Sequence, residues 1–71
     1  MKSEKKRIIK AAVARAGYER NVDRLCDLTG MPRTTYYRKL RDPDSITVGQ
    51  LMRLDMVLKF RDEDLLSLVR R

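Results

Sequence analysis

The chain has 71 residues, 17 Lys+Arg against 10 Asp+Glu, no histidine and a formal net charge of +7. That length holds one domain, residues 1–71, with a modest core and no room for a lid or a deep cleft, and the charge favours a polyanionic partner. With no histidine and a single thiol, His-based zinc sites and Ser/His or Cys/His pairs are excluded, so no enzymatic activity, cofactor or metal is expected.

The positive charge is concentrated in two segments. Residues 2–20 carry seven bases and two acids, and residues 31–41 carry Arg33, Arg38, Lys39 and Arg41 with no acid. The remaining residues sum to slightly negative charge. Two basic segments beside a near-neutral remainder point to a directed electrostatic footprint. Cys26 has no partner for a disulfide within the chain, which fits a reducing, cytoplasmic setting. No apolar stretch reaches the length of a signal peptide or of a membrane span, so neither secretion nor membrane insertion is expected.

Five helical segments and no strand are predicted, because no stretch sustains apolar/polar alternation. The first helix is expected over about Ser3 to Ala16, with Ile9, Ala12, Val13 and Ala16 as its apolar stripe. Lys5, Lys6, Lys10 and Arg15 are assigned to its solvent face, and Gly17 to a left-handed cap. The second helix is expected over about Val22 to Thr29. Asn21 is its N-cap, Asp23 lies in its first turn, and Val22, Leu25, Cys26 and Thr29 form its inner face.

Gly30 breaks that helix at a position that tolerates positive φ. The third helix is expected from Pro32 or Arg33 to Leu40, with Pro32 in its first turn, until Asp42-Pro43-Asp44 stops it. The fourth is expected over Val48 to Lys59, opened by a Thr47/Gln50 capping box. Its stripe is Val48, Leu51, Leu54 and Leu58, with Val57 beside it. The fifth is expected to begin at Asp62 as N-cap, with Leu65, Leu66 and Val69 as core candidates and Phe60 plugging the connection before it. The run Asp62-Glu63-Asp64 is the one carboxylate cluster, and complementing a helix dipole explains it better than a metal does.

The stretch from Val22 to Leu40 is the most informative. Two short helices crossing through a tight turn need a small residue at the crossing, which Cys26 supplies. They also need a positive-φ residue at the turn, which Gly30 supplies, and an apolar plug after it, which Met31 supplies. Tyr36 and Leu40, four apart, pin the third helix inward. Tyr36 and Tyr37 are adjacent and cannot both face the core, so Tyr37 is assigned outward with Arg33, Thr34 and Arg38. The plain reading of these charges and hydroxyls is a solvated helix face, and that of the Lys/Arg-rich amino terminus is a solvated tail.

This pattern resembles the Cro/repressor-like (XRE) helix-turn-helix family. The likeness rests on Leu25-Cys26, Thr29-Gly30-Met31 and Pro32-Arg33-Thr34-Thr35-Tyr36-Tyr37-Arg38, and the five-helix order extends it over nearly the whole chain. Pro32 departs from it, standing where Ser or Thr usually caps the recognition helix. Lys39 also departs, standing where a bulky apolar residue is common, with Leu40 as its substitute in the core.

The resemblance implies a compact all-α, five-helix, lambda-repressor-like domain with its helix-turn-helix at about residues 22–40. It implies a sequence-specific regulator of transcription, a repressor or its like, of phage or mobile-element type, bound to double-stranded DNA. Arg33, Thr34, Tyr37 and Arg38 would approach base edges, while Lys39, Arg41 and the amino-terminal bases would contact phosphates. A homodimer is plausible for such a regulator, with Leu65, Leu66, Leu68 and Val69 as the place to seek its interface. The alternative is a helix-turn-helix-derived protein-interaction module, such as a phage-encoded inhibitor of a host protein, that does not bind DNA.

Overall fold

A computed structural model describes residues 2–70. In it five α-helices follow one another: α1 Lys2–Arg15, α2 Val22–Thr29, α3 Arg33–Arg41, α4 Val48–Leu58 and α5 Asp62–Val69. A single 3-10 turn, Pro43–Ser45, joins α3 to α4, and no strand occurs among the described residues. The Cα radius of gyration is 10.8 Å. A folded chain of this length should give about 11 Å, so the helices close on one core.

Each helix end has a local cause. Asn21 accepts a hydrogen bond from the Arg24 N–H and opens α2. Thr47 and Gln50 form the reciprocal capping box at the start of α4. Gly17 takes φ +87° after α1 ends at Arg15, one residue earlier than the periodicity suggests. Ala16 therefore lies beyond the helix and is exposed, not part of the inner stripe. The fourth helix likewise stops at Leu58, because Lys59 adopts the left-handed region at φ 53°. Its N–H still closes the helix on the Asp55 carbonyl, and the Asp55 carboxylate accepts the N–H of Phe60.

The core is built from Ile9, Ala12 and Val13 of α1, Leu25 and Cys26 of α2, Met31, Tyr36 and Leu40 around α3, and Leu51, Leu54 and Leu58 of α4. Phe60 plugs the last connection and Leu68 of α5 completes the cluster. Helix α2 packs on α4, while α1 receives α3, the 3-10 turn and α5.

Four further expectations need correction. Val48, the first residue of α4, is exposed together with its neighbours Thr47 and Gly49, and burial on that helix begins at Leu51. On α5 the inward residue is Leu68, with Leu65 half-buried, whereas Leu66 and Val69 point to solvent. The register of α5 against α1 decides this, since an eight-residue helix rich in apolar positions can dock by more than one face. Asp62 is the first helical residue and Arg61 the N-cap. The three acids Asp62, Glu63 and Asp64 occupy the first turn, where they complement the dipole. Lys5 is 7% exposed and not on the solvent face; its Nζ donates to Asp44 Oδ1 at 2.7 Å and fastens α1 to the 3-10 turn.

Candidate nucleic-acid interface

The turn between α2 and α3 sets the geometry of the basic face. Gly30 takes φ +71° and its N–H returns to the Cys26 carbonyl. The Met31 N–H reaches the same carbonyl at 3.1 Å, so the turn closes as a Schellman-type cap. A Cβ on Gly30 would meet nothing closer than Arg53 Nη1 at 3.7 Å, so the backbone angle and not crowding requires glycine. Thr29 is buried with its hydroxyl donating to the Leu25 carbonyl at 2.9 Å. Met31 is buried directly after the turn, and Cys26 is buried in α2. Burial pushes the Cys26 thiol above its ordinary value, with Asp23 adding to the effect. Pro32 is the N-cap of α3, with extended backbone and no side-chain cap, and not a first-turn residue.

Helix α3 then divides into two faces. Tyr36 and Leu40 are buried. Arg33, Thr34, Tyr37, Arg38 and Arg41 are exposed, and Thr35 and Lys39 lie between. No acidic residue lies on the helix, so every charge that the helix itself presents outward is positive. Arg38, Lys39 and Arg41 in the last turn also offset the negative end of the helix dipole. Lys39 has a structural task as well: its Nζ donates to the Ser45 carbonyl at 2.7 Å and ties α3 to the 3-10 turn.

Arg33 is the most constrained of the outward bases. Its Nε lies 3.2 Å from Asp23 Oδ1, and its Cζ stands 6.0 Å from the centroid of the Tyr37 ring. Tyr37 rests edge-on against Tyr36, with centroids 5.1 Å apart and planes at 69°. Tyr37 first, and the Asp23 charge second, hold Arg33 above the ordinary guanidinium value. Desolvation raises Tyr36 in turn, so its phenol stays neutral.

Compared with known proteins, the chain matches no family model, no curated protein and no solved structure. The site therefore rests on its own geometry. Arg33, Thr34, Tyr37, Arg38 and Arg41 come together on one face, with Lys39 at its margin. The bases of α1 divide. Lys6, Arg7, Lys10 and Arg15 are exposed, whereas Lys5 is committed to Asp44. Lys10 lines a cleft with Val13, Glu19, Val22, Tyr36, Tyr37 and Leu40, which puts it beside the outward face of α3. Sequence reasoning missed Asp23 as the partner of Arg33. The two are ten positions apart, and only the folded turn brings them together.

Among the described residues no helix is long and apolar enough to cross a membrane, and no group of three metal-ligating side chains lies together.

Proposed function

We propose that this chain is a sequence-specific, double-stranded-DNA-binding regulator of transcription, of the Cro/repressor-like helix-turn-helix kind found in phages and mobile elements. In this reading it has no catalytic activity and works in the cytoplasm of a bacterial or phage-infected cell. One observation carries the reading. Helix α3 buries Tyr36 and Leu40 and presents Arg33, Thr34, Tyr37, Arg38 and Arg41 outward with no acid among them. An exposed cationic helix after a glycine turn suits the major groove, whose base edges accept Arg forks and hydroxyl contacts. Arg33, Thr34, Tyr37 and Arg38 read bases; Arg41, Lys39, Lys6 and Lys10 hold phosphates.

The test is duplex binding across a salt series. With about six phosphate contacts the log–log slope is close to −5. Salt-insensitive binding, or none at low salt, overturns the reading.

A two-fold dimer fits an operator with two half-sites. Its surface would be Leu66 and Val69, which α5 leaves exposed; Val69 lines a cleft together with Val48, Leu51 and Leu68. Sedimentation equilibrium with Val69→Glu distinguishes this dimer from a monomer. A second reading, a protein-interaction module without DNA binding, is favoured by the exposed Met52 and Met56 of α4, the latter 78% exposed. Flexible thioethers on a helix face suit a protein groove. A protein that shows no duplex affinity but retains a partner through these methionines supports that second reading.

A further inference from the structure

Asp23 is an anion at the edge of the cationic face of α3, where it shares a cleft with Glu19, Arg33 and Tyr37, and of the two acids it is the one paired with Arg33. It lies in the first turn of α2, is 71% exposed at its side chain, and holds Arg33 through Nε at 3.2 Å. An exposed ion pair of this kind adds little to stability. What it changes is the freedom of Arg33.

A guanidinium has a fork of N–H donors and can meet guanine O6 and N7 by its end or by its side. With Nε occupied by Asp23, the side-on mode is taken and the end-on fork of the two terminal nitrogens remains. The guanidinium carbon also stands 6.0 Å from the Tyr37 ring centroid, at the outer reach of a cation–π contact. Tyr37 is braced by Tyr36, which is buried in the core. A chain of contacts thus runs from the core to the tip of Arg33, so less side-chain ordering remains to be done when DNA arrives.

The charge of Asp23 has a second consequence. A carboxylate at the groove edge repels phosphate wherever the duplex lies, whereas a guanine held by Arg33 compensates only in the correct register. Repulsion felt in every register and attraction felt in one together widen the gap between right and wrong sites.

We infer that Asp23 is the positioning residue that gives Arg33 its specificity, fixing it end-on for a single guanine in the major groove while penalising DNA that lacks one there. This rests on the DNA-binding reading above and names the base which that surface selects.

The experiment compares wild type, Asp23→Ala and Asp23→Asn on three duplexes. One is selected from a random pool, one is the same duplex with the Arg33-dependent guanine changed to adenine, and one is of random sequence. Wild type is expected to prefer guanine by roughly 5- to 150-fold, the range for one good bidentate pair. Asp23→Ala loses most of that preference and binds random duplex more tightly than wild type. Asp23→Asn, whose amide oxygen still accepts from Nε, keeps much of the preference and shares the gain on random duplex.

If Asp23→Ala retains the full preference, or raises all three affinities by one factor, Asp23 is a surface charge only and the inference is overturned. The free protein gives an independent measurement in the Arg33 Nε–H resonance, which is protected from exchange in wild type and released in Asp23→Ala. Equal exchange in both proteins overturns the inference without any DNA. A protected resonance in a protein that binds no duplex overturns the DNA-binding reading, and the role of Asp23 falls with it.

Discussion

The two basic segments look alike as strings of Lys and Arg, yet the fold uses them differently. On α3 the exposed bases Arg33, Arg38 and Arg41 gather on one outward face of a helix that carries no acid of its own, anchored from behind by Tyr36 and Leu40. On α1 the charges are divided. Lys5 is buried against Asp44, Lys10 stands beside Tyr37, and Lys6, Arg7 and Arg15 face solvent. A count of charges therefore measures the strength of a field but not the task of any one base. That task is set by what lies behind the helix: the core behind α3, and the 3-10 turn against the start of α1.

The largest effect tests the platform both segments share. Leu25 is fully buried where α2 meets the rest of the core. Leu25→Asp is expected to cost several kcal/mol against a total of roughly 5 kcal/mol for a domain of this size. The cooperative thermal transition seen by circular dichroism should vanish. If it survives, the contrast between an anchored α3 and a divided α1 has no common base.

Next in size is the functional side of the comparison. Arg33→Ala and Arg38→Ala are each expected to cut the preference for a selected site over random duplex by roughly 5- to 150-fold without lowering the melting temperature. Lys6→Ala and Lys10→Ala should weaken both duplexes by one factor and reduce the salt slope by about 1 each. An equal-factor loss for the arginines as well would erase the distinction and make them phosphate clamps.

Lys5 sharpens the contrast within α1. Lys5→Ala removes an ammonium that reaches Asp44 at 2.7 Å, and the half-exposed Asp44 side chain moderates the loss. The expected cost is about 1–2 kcal/mol of stability, or roughly 4–8 °C in melting temperature per kcal/mol. Lys6→Ala should leave the melt unchanged. A Lys5 variant that melts like wild type but binds DNA weakly would return Lys5 to the phosphate-contacting set.

Lys59→Gly lies outside both segments and serves as the control. Lys59 holds φ 53° without being glycine. Relieving that conformation should add up to about 1 kcal/mol, read as a higher melting temperature with unchanged DNA affinity.

The smallest effect concerns Cys26. Its raised pKa leaves less thiolate at pH 8 than a free cysteine has. Alkylation of the native protein should therefore be slow and should accelerate on unfolding, and Cys26→Ala should leave fold and DNA affinity nearly intact. Rapid native alkylation would show that the crossing of α2 and α3 is open.

Much of the fold was legible in the sequence because it is locally encoded. The span of α2, its Asn21 cap, the capping box of Thr47 and Gln50, and the positive φ of Gly17 and Gly30 all follow from residues close to one another in the chain. The assignment of Tyr36 inward and Tyr37 outward follows from spacing to Leu40, since a helix cannot turn adjacent residues the same way. Other features depended on packing between segments distant in sequence. Lys5 meets Asp44 across 39 positions, and no local pattern marks that pair. Leu68 rather than Leu66 and Val69 faces inward because α5 settles against α1 in one of the registers its apolar residues permit. Val48 is exposed because the packing of α4 begins only at Leu51, which its periodicity does not reveal. Asp23 reaches Arg33 only because the Gly30 turn folds α2 onto α3. Local rules of capping, periodicity and turn chemistry determined the elements, whereas the choice among faces and ion-pair partners waited for tertiary contacts, because those depend on which surfaces meet.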